Sequence, residues 1–226
     1  MMSYTSLFFD LDDTLLDFKK AEAHAIRKVL KNNSMPFDDD AVRTYSKINK
    51  GFWESFERGE IEKSDIFVGR FKRLLEVLGR KGDPLALSEE YCRGLSEGYF
   101  TVEGAFRILD YLRDKGYKLY ATTNGLSLTQ YRRINGSGLA PFFDGVFVSE
   151  DSGYQKPERE YFDYIIAHIP EKDRGKILII GDSQSSDILG GKNAGIDTCW
   201  YNPARLSAKY FSKYEISSLE ELKEIL

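Results

Sequence analysis

The sequence predicts an α/β protein: a doubly wound parallel sheet with a helical segment inserted after its first strand. Short apolar runs alternate with amphipathic helical patterns, which is typical of parallel sheets. Residues 16–100 interrupt this alternation with helical periodicity and no convincing strand. Acidic residues follow two of the apolar runs, where a parallel sheet opens its ligand-binding edge.

Five apolar runs have the length and composition of buried strands. Each is five to seven residues long, and helical patterns separate them along the chain. A last helical pattern, in which Leu219, Leu222 and Ile225 share one face, predicts a short helix at the end of the sequence. The predicted strands cover approximately 4–10, 118–123, 144–149, 177–181 and 197–201.

Four amphipathic helical patterns occupy the segment between the first two strands. Apolar residues recur there three or four positions apart, as on the buried face of a helix. The third pattern begins near Ser64, which we expect to be its N-cap. We interpret this segment as a helical cap that covers the sheet edge. The predicted bounds are 1–15 and 101–226 for the catalytic core, and 16–100 for the cap.

Composition excludes several classes of protein. The 226 residues are 42% hydrophobic and 30% charged, as in ordinary globular proteins. A net charge of −4 argues against a nucleic-acid-binding surface, and no apolar run has membrane-spanning length. The two cysteines, Cys92 and Cys199, lack the spacing of a metal site or a disulfide framework. We expect a cytoplasmic monomer or weak homodimer without a nucleic-acid or membrane partner.

The most informative motif is the acidic run that follows the first apolar strand. Asp10, Asp12 and Asp13 crowd together there, although packing gives no reason for clustered carboxylates. The fourth strand also ends in a carboxylate, Asp182, with Asp187 five positions later. Hard oxygen ligands suit Mg²⁺, which would relieve the repulsion between these groups. We therefore predict one Mg²⁺ site at this edge of the sheet.

The first acidic pair also suits phosphoryl transfer. Asp10 can attack a phosphoryl group to give an aspartyl-phosphate, and it needs no base because a carboxylate is ionised at neutral pH. Asp12 lies two positions on, so an extended backbone places both side chains on one side. Asp12 could protonate the leaving oxygen and later deprotonate water, a contribution of typically ~10²–10⁴-fold in rate. The alternative is a chance acidic loop or a cluster of charges at a helix N-terminus.

Two further strand ends carry groups that can bind an anion. Thr123, Asn124 and Gly125 follow the second strand, where backbone N–H groups could form an anion-binding turn. Lys156 precedes Pro157 after the third strand and could pair with a phosphate oxygen. Each pattern alone is common in ordinary turns and loops. Their order at successive strand ends favours a single catalytic edge.

Together these residues resemble the haloacid dehalogenase-like hydrolase superfamily over the whole chain. The resemblance implies a Rossmann-like core with a helical cap inserted after the first motif. It also implies that Mg²⁺ is the cofactor and that a small-molecule phosphate ester is the substrate. The four motifs are Asp10-Leu11-Asp12-Asp13-Thr14, Thr123-Asn124-Gly125, Lys156-Pro157, and Gly181-Asp182-Ser183 through Asp187.

The resemblance also implies a role for each motif residue. Asp10 is the nucleophile and Asp12 the acid/base. Thr123 and Lys156 hold the phosphoryl group, and the substrate-binding residues expected beside them are Thr14, Asn124 and Gly125. The implied metal ligands are Asp10, Asp12 through its backbone carbonyl, Asp182, and Asp187 either directly or through water.

Within the superfamily, the first motif distinguishes the reactions. Dehalogenases lack the second aspartate and need no Mg²⁺, whereas this chain has Asp12 and Thr14 and resembles a phosphatase. The residue after Asp12 is Asp13, where phosphoglycolate phosphatases and sugar-phosphate mutases have glycine. Residues 12–18, 58–61 and 195–202 resemble the YjjG/YfnB-like subgroup. That subgroup is associated with pyrimidine 5′-nucleotidase activity.

Substrate choice is expected to reside in the cap, because a lid over the leaving group can read its shape. Asn49 and Trp53 lie four positions apart on one predicted helix face and are the preferred residues for binding a nucleotide base. Phe18, Phe52 and Phe56 are further candidates. An aromatic stripe at helical spacing is also typical of a helix core, and we expect at least half of these five residues to have that role.

Three other functions remain open on sequence grounds. The same chemistry could serve phosphoglycolate or a sugar phosphate, and a substrate panel would distinguish these from nucleotides. A 2-haloacid dehalogenase is disfavoured by Asp12. A non-catalytic phospho-acceptor module would also cluster carboxylates beside a threonine and a lysine, but it would lack the large helical insert.

Overall fold

The computed structural model describes residues 4–226. The chain forms two compact units. One comprises the chain up to Asp17 together with Thr101–Leu226, and the other comprises Phe18–Phe100. The predicted division at 16–100 assigns the roles of core and cap to these units, and that assignment stays a prediction.

The first unit is built on a six-stranded sheet in which every neighbouring pair is parallel. The strand order is β3-β2-β1-β4-β5-β6, so β1 lies near the centre. All five predicted strands are confirmed, and β6 is an addition that the sequence analysis missed. The strands are β1 (Ser6–Asp10), β2 (Lys118–Thr123), β3 (Gly145–Val148), β4 (Ile177–Gly181), β5 (Asp197–Tyr201) and β6 (Tyr214–Ile216).

Strand β1 fixes the position of the acidic run. Its side chains alternate between two apolar clusters, with Leu7 and Phe9 in one and Phe8 in the other. Because both faces of the strand are buried, a one-residue shift would exchange the two sets, so the register is strongly specified. Asp10 pairs in register with Thr122 of β2, which places the acidic run beside the second motif.

The second unit consists of four helices around a core of its own. Tyr45, Phe71, Leu74 and Tyr91 are completely buried there. The side chain of Asp38 accepts a hydrogen bond from the first turn of the second helix, and Asp83 caps the fourth in the same way. The helices are α1 (Phe18–Asn32), α2 (Asp39–Glu57), α3 (Lys63–Leu78) and α4 (Pro84–Ser96).

The predicted N-cap of the third helix is wrong. Helix α3 begins at Lys63, so Ser64 already lies inside its first turn. Glu62 occupies the cap position and forms a reciprocal capping box with Asp65. A serine is the commoner cap residue, but the helix starts where the longer Glu62 side chain and the Asp65 carboxylate satisfy two backbone N–H groups.

Further helices flank the sheet and connect its strands. They bury Ile108, Leu109 and Leu112 on one face of the sheet, and Tyr161, Phe162 and Ile165 on the other. A π-helical turn, Gln184–Ile188, directly follows the loop after β4. The helices are α5 (Ala105–Asp114), α6 (Ser127–Gly136), α7 (Ser149–Ser152), α8 (Arg159–His168), α9 (Leu189–Ala194) and α10 (Leu222–Ile225).

Within residues 4–226, no helix combines the length and the apolar character that crossing a membrane requires.

Candidate active site

Three carboxylates converge at the carboxyl ends of β1 and β4. Asp10 ends β1, Asp182 follows β4, and Asp187 lies in the π-helical turn. One oxygen of each lies within 4.8 Å of the other two. Gly181 permits the approach of Asp187, because a Cβ at that glycine would lie 2.2 Å from the Asp187 Oδ2 atom. A side chain at position 181 would therefore displace the Asp187 carboxylate.

A buried lysine partly balances this negative charge. Lys156 Nζ donates to Asp10 Oδ1 at 2.6 Å, to Asp187 Oδ1 at 2.7 Å and to the Thr122 carbonyl oxygen at 3.1 Å. An ammonium group has three hydrogens, so all of its donors are engaged by the protein. In this arrangement Lys156 fixes the nucleophile candidate and Asp187 relative to each other.

Burial controls the protonation of the cluster. It raises the pKa of Asp10 to about 7, with Lys156 opposing the rise and Asp187 adding to it. Burial, followed by the charge of Asp10, also holds the pKa of Asp182 well above its usual value. For Lys156, burial favours the neutral amine, but the Asp10 and Asp187 carboxylates outweigh it and raise its pKa. The cluster therefore has more negative charge than one lysine can compensate.

These residues fit a divalent cation of the Mg²⁺ type. The donor set is three carboxylates, with one oxygen of each within 4.8 Å of the others, and hard oxygen ligands are those that Mg²⁺ prefers. Burial, together with the charge of neighbouring carboxylates, raises the pKa values of Asp10 and Asp182. A bound cation would favour the ionised form of both groups. Asp10, Asp182 and Asp187 are the side chains that would hold it.

Thr14 connects the first and fourth motifs. Its hydroxyl donates to Asp10 Oδ2 at 3.1 Å and accepts from the Asp182 backbone N–H at 3.1 Å. The side chain is completely buried. Both hydrogen bonds orient carboxylate-bearing residues of the cluster, so the predicted contact of Thr14 with substrate stays a prediction.

The second motif forms a turn beside the cluster. Asn124 bridges it to the third motif, because its amide donates to the Lys156 carbonyl at 2.8 Å and accepts from the Lys156 N–H at 2.9 Å. Gly125 N–H donates to Thr123 Oγ1 at 3.1 Å. The Thr123 backbone N–H donates to the Tyr161 hydroxyl at 3.1 Å. The structure thus brings the residues of the second and third motifs together with Asp10.

The Asp12 side chain points to a different set of partners. Arg133 of α6 donates to its Oδ1 atom, and Gln130 of the same helix donates to its Oδ2 atom at 2.9 Å. The sequence analysis missed both residues of α6. A signal existed: Gln130 and Arg133 are polar residues three positions apart on the helix that follows the second motif, and Ile134 marks the buried side of that helix.

The predicted base-binding pair lies in the helical unit. Asn49 is 2% exposed, and its amide donates to Glu22 Oε1 at 2.7 Å and accepts from Arg70 Nη1 at 2.9 Å. Trp53 is partly buried and packs edge-to-face on Phe56, with ring centroids 5.8 Å apart. The two side chains therefore have different partners: Asn49 is hydrogen-bonded to Glu22 and Arg70, whereas Trp53 packs against an aromatic ring. Their contact with a substrate stays a prediction.

Comparison with known proteins agrees with this geometry. A family model for haloacid dehalogenase-like hydrolases matches residues 4–195. The HAD-hydrolase YfnB of Bacillus subtilis is 44% identical over all of this chain and 97% of its own length. Its crystal structure, bound to magnesium, superposes with a TM-score of 0.95 and covers 100% of this chain and 99% of that one.

Two pyrimidine 5′-nucleotidases are also similar over nearly their full length. The pyrimidine 5′-nucleotidase PynA of Streptococcus pneumoniae is 39% identical over all of this chain and 96% of its own length. The pyrimidine 5′-nucleotidase YjjG of Escherichia coli is 32% identical over all of this chain and 99% of its own. With the parallel sheet, the carboxylate cluster and the four motifs in place, the chain belongs to the haloacid dehalogenase-like hydrolases, in the YjjG/YfnB-like subgroup.

Proposed function

We propose that this protein is a Mg²⁺-dependent phosphatase that hydrolyses nucleoside 5′-monophosphates, with a preference for pyrimidines. The observation that carries the proposal is the convergence of Asp10, Asp182, Asp187 and Lys156, with the Asp12 carboxyl held separately by side chains of α6. This arrangement supports one carboxylate as the nucleophile and a second carboxylate, outside the cluster, as the proton-transfer group.

In the first step, an oxygen of Asp10 attacks phosphorus and the bond to the ester oxygen breaks. Asp12 gives its proton to that leaving oxygen, which departs as the alcohol of the nucleoside. A cation held by Asp10, Asp182 and Asp187 would neutralise charge as the anionic nucleophile approaches the anionic substrate. The Thr123 hydroxyl donates a hydrogen bond to a phosphoryl oxygen.

In the second step, water attacks the phosphorus of the aspartyl-phosphate. Asp12, now ionised, accepts a proton from that water, and the bond between phosphorus and Asp10 breaks. Phosphate is released, and both carboxyl groups return to their starting states. This use of one residue as acid and then as base explains why Asp12 keeps 30% of its side chain exposed while Asp10 and Asp187 are buried.

The nucleotide preference is supported by the relatives. PynA and YjjG, both pyrimidine 5′-nucleotidases, align with the whole of this chain, including the helical unit. Within that unit, Trp53 is our preferred aromatic candidate for stacking on a base, and it keeps partial exposure in α2, as Phe52 does. We propose that the unit 18–100 acts as the cap that selects the leaving group.

The decisive experiment is phosphate release in Mg²⁺ and in EDTA across UMP, dUMP, TMP, AMP, phosphoglycolate and several sugar phosphates. We expect Mg²⁺-dependent release with the highest kcat/KM on pyrimidine monophosphates, and only background release by Asp10→Asn. A preference for phosphoglycolate or a sugar phosphate would keep the mechanism and reject the nucleotide assignment. Full activity of Asp10→Asn would reject the mechanism.

The second candidate, a phospho-acceptor module, is separated by the lifetime of the covalent state. A hydrolase turns the aspartyl-phosphate over, so it does not accumulate for minutes after substrate is exhausted. A phospho-aspartate at Asp10 that persists for hours in the presence of Mg²⁺ would favour the acceptor module instead.

A further inference from the structure

Helix α6 supplies two polar side chains that the proposed mechanism does not yet use. Gln130 is 1% exposed and Arg133 has no exposed surface. Both reach across more than a hundred residues of sequence to the Asp12 carboxyl, one to each oxygen. A completely buried guanidinium is costly unless it is paired, so its position beside Asp12 is a specific feature of the fold.

Gln130 is held in one orientation. Its Oε1 atom accepts from Arg133 Nη1 at 3.0 Å, which leaves its amide hydrogens directed the other way. Those hydrogens go to Asp12 Oδ2 at 2.9 Å and to Thr123 Oγ1 at 2.8 Å. One amide therefore connects the proton-transfer candidate with the hydroxyl expected to hold phosphate.

The same contacts set the direction of the Thr123 hydroxyl. Its oxygen accepts from Gln130 Nε2 at 2.8 Å and from the Gly125 N–H at 3.1 Å. A hydroxyl has two acceptor lone pairs and one hydrogen, so both lone pairs are occupied by protein donors. The hydrogen is then directed away from these donors, available to an acceptor such as a phosphoryl oxygen.

Gly125 shows how closely Gln130 is packed. A Cβ at that glycine would lie 2.6 Å from the Gln130 Cδ atom and 2.9 Å from its Nε2 atom. The glycine of the second motif thus has a steric role toward α6. Any side chain at 125 would displace the amide that links Asp12 and Thr123.

We propose that Gln130 and Arg133 are positioning residues that act as one device on α6: Arg133 orients the Asp12 carboxyl toward the leaving oxygen, and Gln130 orients both that carboxyl and the Thr123 hydroxyl. This proposal rests on the proposed function, in which Asp12 gives and then takes the proton. It assigns α6 a part in the reaction, although neither side chain needs to touch substrate.

The test compares two leaving groups in the first turnover. UMP releases an alcohol that needs a proton from Asp12, whereas p-nitrophenyl phosphate releases a phenolate that leaves without one. In rapid-quench measurements, Arg133→Met should slow the first turnover of UMP by about 10-fold or more and that of p-nitrophenyl phosphate by less than about 3-fold. Arg133→Lys, which keeps the cation, should recover part of the loss.

Gln130→Met keeps the shape of the side chain and removes its donors. It should show the same dependence on the leaving group and, in addition, raise KM for both substrates, because the Thr123 hydroxyl loses its fixed direction. The exposed neighbour Arg132 provides the control, and Arg132→Met should match the wild type on both substrates.

Two results would overturn the proposal. Equal losses on the two substrates, with no recovery in Arg133→Lys, would mean that α6 acts only through stability, which thermal unfolding of each variant checks. Unchanged rates in both Arg133→Met and Gln130→Met would mean that Asp12 needs no support. If instead the proposed function is wrong, the wild-type protein itself will not hydrolyse UMP. In that case, an alkyl phosphate that the wild type does hydrolyse replaces UMP in the comparison.

Discussion

Individual residues decide how the carboxylate cluster responds to pH and to metal. Asp10 is the most informative, because burial raises its pKa to about 7 from the value near 4 that an exposed aspartate has. The folded protein without metal therefore binds a proton at Asp10 more readily than the unfolded chain does. The stability that this proton contributes is present at low pH and is lost as pH rises from about 4 through about 7.

The first prediction follows from the raised pKa of Asp10. Mg²⁺ binds the ionised carboxylates, so it competes with the proton and stabilises most where Asp10 is ionised. We expect the rise in melting temperature on adding Mg²⁺ to be larger at pH 8 than at pH 5.5, as measured by differential scanning fluorimetry. In Asp10→Asn this pH dependence should be much reduced. A Mg²⁺ effect of equal size at both pH values in the wild type would contradict the prediction.

The second prediction concerns Gly181. A methyl group there would meet Asp187 Oδ2 at 2.2 Å, so Gly181→Ala must push that carboxylate out of the cluster. We expect Mg²⁺ affinity to fall by about 10-fold or more, since orientation of ligands commonly has an effect of this size. Isothermal titration calorimetry measures it. Gly51→Ala is the matched control, because nothing lies within 4 Å of its added methyl group, and affinity should be unchanged.

The positions of some site residues could be predicted from the sequence, and those of others could not. Asp10, Asp182 and Asp187 were predicted to converge, and they do, because carboxylates placed after buried parallel strands meet at one edge whatever the details of packing. Gln130 and Arg133 were missed, since their contacts with Asp12 join residues about 120 positions apart. A helical pattern shows which face is buried but not which distant group lies against it.

At the scale of elements, helix α2 illustrates the difference between a shared face and a shared function. Asn49 and Trp53 lie four positions apart as predicted, yet Asn49 is enclosed by Glu22 of α1 and Arg70 of α3. Arg70 is itself buried against the Tyr91 ring of α4, with 4.6 Å from its guanidinium carbon to the ring centroid. The Asn49 amide thus links α2 to α1 and α3 through buried hydrogen bonds. Helix α4 packs against the same group of residues through the contact of Tyr91 with the Arg70 guanidinium.

The third prediction separates a structural from a substrate-binding role of Asn49. Asn49→Leu removes an acceptor from Arg70 and a donor to Glu22, so we expect a loss of about 3 kcal/mol in the free energy of unfolding. Urea denaturation measures this. Lys50→Ala, one position away on the exposed surface, should change stability by less than about 0.5 kcal/mol. An Asn49→Leu protein with wild-type stability and a raised KM for UMP alone would instead support base recognition.

The strands of the sheet also show which elements can be predicted from sequence and which cannot. The five predicted strands are confirmed because each is a short run rich in apolar residues, buried or partly buried in the sheet, and such a run is a local property of sequence. Strand β6 was missed because Tyr214–Ile216 has only three residues, and its pairing with β5 completes one edge. Such a short strand depends on the neighbour that it pairs with more than on its own composition.

At the scale of the whole molecule, the chain maintains separate apolar cores. The sheet packs two clusters, one on each face, and the helical unit has a third cluster of its own that includes Tyr45, Phe71 and Leu74. The three carboxylates that could hold a cation all belong to the first unit. The core of the helical unit and the candidate cation site are therefore built from different residues.

The fourth prediction uses this separation. Leu74→Ala leaves a cavity in a completely buried part of the helical unit and should reduce its stability by about 2–5 kcal/mol. Mg²⁺ affinity measured by calorimetry below the melting temperature should match the wild type. Leu178→Ala, in the sheet core and next to the β4 residues that lead to Asp182, should reduce both quantities. Equal loss of Mg²⁺ affinity in the two variants would contradict the separation.

The hydrogen bonds of Lys156 indicate how the protein behaves when no cation is bound. By donating to Asp10, Asp187 and the Thr122 carbonyl, Lys156 acts as an internal counter-ion that holds these residues together at the carboxyl edge of the sheet. Chelation should therefore produce a dormant protein and not a denatured one, and adding Mg²⁺ back should restore turnover without a refolding step. We therefore expect metal supply alone to switch the proposed activity off and on.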